Sequence, residues 1–267
     1  MNKTPRISAS QLEVSESCDL RDNLQYVKHI KVPKFSHPGG VMGSAFHACN
    51  EIWYGQAPDV FEKGEDGLTS LVDLGWADAM SQKGTVLSPA DILKQEEFKD
   101  IVKKLLKVFY AKQVLLKHLV KPVYIEKEFC IPFDSSEGPI ELFGYIDRVM
   151  VVDGVAWVTD YKTSSEHKSQ KEVDWDHQLT FYSAAYRWLA KHSITSLPPI
   201  EDRVELYYPK FDLFIHSYRN KEHFDDLKNR LVQVIRRRRN PNPRPRPSSD
   251  TCFFCPYRNT IHCRAGR

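Results

Sequence analysis

The stretch LFGYIDRVMVVDGVAWVTDYKT, residues 142–163, decides the fold. Two runs, Leu142 to Val152 and Val155 to Thr163, flank Asp153-Gly154, the strongest short-range hairpin signal, which predicts adjacent antiparallel strands. Side chains alternate between the two faces of a strand. Phe143, Tyr145, Asp147 and Val149 therefore share one face of the first strand, and Ala156, Val158, Asp160 and Lys162 share one face of the second. Hairpin pairing brings Asp147 and Asp160 toward the same end of the sheet. Burying an isolated charge costs several kcal/mol, so such groups are retained with a partner or a cation, and two carboxylates with a lysine can hold a divalent metal. The alternative is an exposed face on which Asp160 and Lys162 form a surface pair worth about 0–1 kcal/mol.

Working outward, Val123 to Ile131 alternates as a strand. Glu126 and Glu128 share the face of Tyr124 and Cys130 and read as a solvated edge, at most supporting the acid pair. Trp175 to Lys191 reads as a helix, Val204 to Tyr208 and Leu213 to Tyr218 as strands joined by a Pro-Lys-Phe-Asp turn, and His223 to Arg239 as a helix. Upstream, Gly43 to Tyr54 is helical, with Phe46, Cys49 and Trp53 along one side and His47, Glu51 and Tyr54 along the next. Ser88-Pro89 opens a further helix, whose periodicity runs from Ile92 to Leu119. Helices, strand, hairpin, helix, hairpin and helix in that order predict a mixed α/β fold.

A chain of 267 residues with 41% hydrophobic and 27% charged residues excludes wholesale disorder, collagen and coiled coil. No stretch reaches the roughly 20 apolar residues of a membrane span, and the start MNKTPRISASQLEVSES lacks the apolar run of a signal peptide, so a cytoplasmic, membrane-free protein is expected. The net charge of +3 is unevenly spread. Eight basic residues and no acid lie between Lys228 and Ser249, leaving −5 for the rest. Arg236 to Arg239 could contact phosphates, with Phe253, Phe254 and Tyr257 stacking on unpaired bases. Equally, they could offset a helix dipole while the aromatics pack. Asn240 to Ser249, NPNPRPRPSS, forbids helix and divides the chain into a core, residues 1–240, and a proline-rich linker with a cysteine clasp, residues 241–267. Six cysteines are too few and too unevenly placed for a disulfide framework, and Cys252, Cys255 and Cys263 suggest metal or cluster ligation with a fourth ligand elsewhere. Four thiolates also suit Zn²⁺, and His262 could replace one. Cys49 and Cys130 read as buried core thiols.

GYIDRV at 144–149, DYKT at 160–163, QLTFY at 178–182 and GSAFHACNE at 43–51 together resemble the RecB/AddB-type branch of the PD-(D/E)XK nuclease superfamily. The resemblance implies a restriction-endonuclease-like fold, with a mixed central sheet flanked by helices and the termini joined by a cysteine-ligated cluster. It implies Asp147, Asp160 and Lys162 as the catalytic set, with Gln178 and Tyr182 beside them. His47, Asp147, Asp160 and the backbone carbonyl of Tyr161 would be the ligands of Mg²⁺ or Mn²⁺. Outside the resemblance, His47 reads as a polar contact on a helix, and Gln178 with Tyr182 as a packing pair. Cys18, closing the opening helix, is implied to join Cys252, Cys255 and Cys263 around a [4Fe-4S] cluster, with structural Zn²⁺ as the alternative. The function implied is a metal-dependent DNA nuclease, an exonuclease on single-stranded or end-bearing DNA in recombination, repair or phage/CRISPR-related processing. Its setting would be a bacterial, archaeal or phage-infected cell, and its protein partners those of a recombination or CRISPR adaptation complex. The alternative is a non-catalytic DNA-end-binding or assembly module that retains the fold.

Overall fold

A computed structural model describes residues 4–55, 58–82, 84–119, 121–193, 197–198 and 200–264. The chain runs β1 (Arg6–Ile7), α1 (Ala9–Ser17), α2 (Asp19–Asp22), a π-helical turn (Asn23–Val27), α3 (Pro38–Gly55), α4 (Pro58–Glu62), α5 (Gly64–Ser70) and α6 (Val72–Ser81). It continues through α7 (Pro89–Ile92), α8 (Gln95–Leu115), β2 (Tyr124–Ser135), β3 (Gly138–Val152), β4 (Val155–Tyr161), α9 (Gln170–Asp174) and α10 (His177–His192). It ends with β5 (Ile200–Tyr208), β6 (Leu213–Tyr218), α11 (Lys221–Arg239) and α12 (Ser249–Phe253). Two compact units emerge: residues 35–128 with 145–219, and residues 1–34 with 129–144 and 220–267.

In the first unit the hairpin forms as the sequence predicts. Asp153 and Gly154 take φ of 53° and 80°, and both left-handed residues turn β3 into β4. The register runs from Val152↔Val155 to Arg148↔Thr159, and continuing it sets Asp147 opposite Asp160. β5 lies parallel to β4, with Tyr161 beside Tyr207, and β6 is antiparallel to β5, so the sheet is mixed. Tyr161 and Tyr207 pack with Phe46, Trp53 and Phe109 of α3 and α8, while α10 packs on β4 and β5. Helices thus flank the sheet. Gly75 lets α6 approach α3, because a Cβ there would meet Cys49 Sγ at 2.4 Å and the Ala45 carbonyl at 2.8 Å. The helix expected from Ile92 to Leu119 is broken. Ser88 caps α7 through the Asp91 N–H, Lys94 leaves helical geometry, and α8 starts afresh at Gln95.

Arg148, the residue after Asp147, points to the opposite face and is 1% exposed. It donates to Gln113 Oε1 at 2.9 Å and lies over the rings of Phe109 and Tyr161 at 5.7 and 5.5 Å. Its charge is thus held by an amide and two π faces.

In the second unit β1 pairs in parallel with β3 at Glu141 and Leu142, and α11 packs on α1. The arginine run is consumed here. Arg238 forms a two-pronged pair with Asp22 (2.9 and 3.0 Å), Arg237 meets Asp19 at 3.6 Å, and Arg236 and Arg239 both meet Glu137. These guanidiniums pair α11 with acids distant in sequence, Arg236 and Arg239 staying more than half exposed. Cys130 is exposed and not a core thiol, whereas Cys49 is fully buried. Tyr257 is buried and donates to the Ile30 carbonyl at 2.7 Å, so it packs inside its unit, while Phe253 and Phe254 are exposed. Among the described residues no helix is long and apolar enough to cross a membrane.

Candidate active site

Asp147, within β3, and Asp160, near the end of β4, are 4% and 1% exposed and lie side by side where the hairpin pairing ends. The Tyr161 N–H donates to Asp147 Oδ2 at 2.8 Å, locking the carboxylate against the next strand. The face shared with Asp147 is apolar only toward Val149, since Tyr145 is 52% exposed. Lys162, just past β4, is fixed by its N–H to the Tyr207 carbonyl (2.9 Å) and lays its ammonium 2.8 Å from Asp160 Oδ2. Lys162 and Asp160 thus form a largely buried ion pair.

α10 closes the group from its other side. Lys162 Nζ donates to Gln178 Oε1 (2.7 Å), Gln178 Nε2 donates to the Tyr182 hydroxyl (2.9 Å), and that hydroxyl donates to Asp147 Oδ1 (3.1 Å). Spacing of four residues puts Gln178 and Tyr182 on one helical face, which is why one chain of hydrogen bonds links the lysine to the aspartate. Asp176 caps α10 by accepting from the Leu179 N–H at 3.0 Å and is held by Lys168 at 2.5 Å. The Arg219 guanidinium, 1% exposed, donates to the Val173 and Asp176 carbonyls at 2.9 and 3.1 Å and ties the α9–α10 junction to β6.

From α3, His47 reaches the same spot. Its Nδ1 lies 2.8 Å from Glu126 Oε1 and 3.6 Å from Asp147 Oδ2, and its ring meets Tyr161 edge-on at 5.7 Å. Glu126 is therefore no solvated edge. Its φ of 43° is left-handed, unusual for a non-glycine in a strand, and swings the carboxylate to the imidazole. His47, Glu126 and Asp147 present donor atoms all within 4.8 Å of one another, a group that could hold a metal ion. Imidazole and carboxylate donors beside the Asp160 carboxylate fit a hard to intermediate divalent cation such as Mg²⁺ or Mn²⁺.

Burial and the neighbouring acids set the protonation of the group. Burial opposes the His47 imidazolium, but Asp147 and Glu126 outweigh it and hold the group up to about 9. Burial lifts Asp160 to about 7 against the pull of Lys162, with Asp147 adding to the rise. Burial raises Asp147 too, Glu126 reinforcing and His47 and Lys162 opposing. Lys162 stays charged, because Asp160 and Asp147 override the cost of its burial. A cleft of about 380 Å³ opens at this point, lined by Gly43, Ser44, His47, Glu51, Asp78 and Glu126 among others.

The other sequence-singled residues lie in the second unit. Cys18 is buried, and Cys252, Cys255 and Cys263 are half-buried. The proline-rich segment lies along Cys18: the Arg246 N–H donates to its Sγ at 3.4 Å, the Arg246 guanidinium meets Asp19 at 2.7 Å, and the Arg244 carbonyl accepts from Leu20 at 3.3 Å. Among the described residues the thiols form no group of three within 4.8 Å.

The profile of the PD-(D/E)XK nuclease superfamily matches residues 6–260, and the chain belongs to that superfamily. Its members are metal-dependent nucleases. A solved structure titled "Crystal structure of SSO0001" is similar at 13% identity and a TM-score of 0.45, covering 96% of this chain and 86% of that one. A search of curated proteins gives no significant match.

Proposed function

We propose that this chain is a divalent-metal-dependent deoxyribonuclease of the RecB/AddB-type branch, acting as an exonuclease on single-stranded or end-bearing DNA. The observation that carries the reading is the convergence of Asp147, Asp160, Lys162 and His47, each from a different point in the chain, on a space edged by Glu126, Gln178 and Tyr182. A Mg²⁺ or Mn²⁺ ion held by His47, Asp147, Asp160 and the Tyr161 carbonyl would acidify a water and offset charge developing on the phosphate. Lys162 orients the attacking water and meets the negative transition state, its ammonium aimed by Gln178. Tyr182 keeps Asp147 oriented. Recombination, repair or phage/CRISPR-related DNA processing in the cytoplasm is the setting that suits such an activity, with protein partners from those complexes.

The four cysteines, Cys18, Cys252, Cys255 and Cys263, are the proposed ligands of a [4Fe-4S] cluster, with Zn²⁺ as the rival. The Arg246 N–H on Cys18 Sγ supports this, because amide donors to a sulfur stabilise a thiolate ligand. Anaerobically purified protein should be brown and carry iron. Colourless protein with one equivalent of zinc would assign the site to zinc instead.

The test of the nuclease reading is digestion of end-labelled single and double strands in Mn²⁺ by the parent and by Asp160→Ala. Loss of a metal ligand should cost orders of magnitude in rate. Equal degradation by the two proteins would leave the DNA-end-binding module as the better reading.

A further inference from the structure

Around the cluster of acids the charge is asymmetric. On the cleft side stand Glu51, Asp78 and Glu126, which repel a phosphodiester chain. On the side of Lys162 the exposed residues are mixed, with His167, Lys168, Lys210 and Phe211 beside Glu166 and Asp212, and Lys168 paired with Asp176. The parallel register Tyr161↔Tyr207 sets Lys162 beside Tyr208, one strand spacing of about 4.8 Å away. Tyr208 is buried and forms a floor. Over it, His167 and Phe211 meet edge to face at 5.3 Å between ring centres, each about 6 Å from the Tyr208 ring.

Backbone and neighbouring contacts place the two residues. The Lys168 N–H donates to the Tyr208 hydroxyl at 3.2 Å, the Phe211 N–H donates to the Tyr208 carbonyl at 3.1 Å, and Asp212 is anchored by Lys112 at 2.8 Å. Phe211 is nevertheless 41% exposed. An exposed aromatic face beside Lys210, resting on the Tyr208 that neighbours Lys162 across one strand spacing, has the chemistry that takes an unpaired nucleobase.

We propose that Phe211, supported by His167, is a stacking ledge for the unpaired base of the nucleotide next to the scissile phosphate; this rests on the nuclease reading above. It makes the enzyme prefer a strand whose terminal bases are free over a fully paired duplex. Stacking on an aromatic side chain supports affinity by roughly tenfold per base, without sequence preference.

The experiment compares the full-length parent, Phe211→Ala and Phe211→Trp on fluorescein-labelled oligothymidylate. Binding is read by anisotropy in Ca²⁺ and cleavage by gel in Mn²⁺, with a series of strands carrying one abasic residue at each position in turn. The parent should lose about tenfold in affinity when one particular position, adjacent to the cleaved bond, is abasic. Phe211→Ala should bind the intact strand about tenfold more weakly and lose nothing further on the abasic strand, while Phe211→Trp restores both affinity and the abasic penalty. An abasic penalty that persists in Phe211→Ala, or equal affinity of Phe211→Ala and the parent for intact strands, overturns the ledge. A parent that cleaves while Phe211→Ala matches it removes the ledge alone. A parent that cleaves no strand in Mn²⁺ removes the nuclease reading and the ledge together.

Discussion

The Tyr182 hydroxyl donates to Asp147 Oδ1 while accepting from Gln178 Nε2, so one phenol stands between the amide that aims Lys162 and the carboxylate opposite Asp160. A hydrogen bond to a buried carboxylate is worth about 1.5–3 kcal/mol. Tyr182→Phe should therefore slow cleavage by roughly tenfold to a hundredfold with little change in the substrate's KM. Steady-state kinetics at saturating Mn²⁺ check this, and a loss confined to KM would speak against Tyr182 as the orienter of Asp147.

Cation binding should be strongly pH-dependent. Without a cation, His47 keeps its proton up to about pH 9 and Asp160 up to about pH 7. A ligand must be deprotonated, so the ion displaces about one proton between pH 7 and 9 and more below pH 7. Affinity for Mn²⁺ should rise with pH across that window. Calorimetry in two buffers of contrasting ionisation enthalpy measures the protons released, and a constant affinity from pH 6 to 9 would contradict the site.

The arginine run gives a prediction of the opposite kind. Arg238→Ala would strand Asp22, whose side chain is 2% exposed, and a buried carboxylate without its cation costs about 3–5 kcal/mol. The urea midpoint should fall accordingly. Because the guanidinium is already committed to Asp22, the salt dependence of DNA binding should match that of the parent, whereas a lost phosphate contact would lower the slope by about one.

The hairpin and its acids were readable because Asp153-Gly154 fixes the turn and a period of two then dictates which residues face each other. His47, Gln178 and Tyr182 carry no periodic signal of their own, and it was their joint resemblance to known motifs that singled them out. Glu126 escaped because alternation assumes extended backbone, and its left-handed φ breaks the rule at that residue. The arginines of α11 were ambiguous for another reason: their partners Asp19, Asp22 and Glu137 are about 100 to 220 positions away, and no local pattern reveals such pairing.

The left-handed backbone at Glu126 has a consequence of its own. A non-glycine there costs about 1–2 kcal/mol, which glycine would avoid at a smaller entropic loss. Glu126→Gly should therefore keep its melting midpoint while its hold on Mn²⁺ weakens. A relative with glycine at this place would be as durable as this chain while holding its ion less tightly.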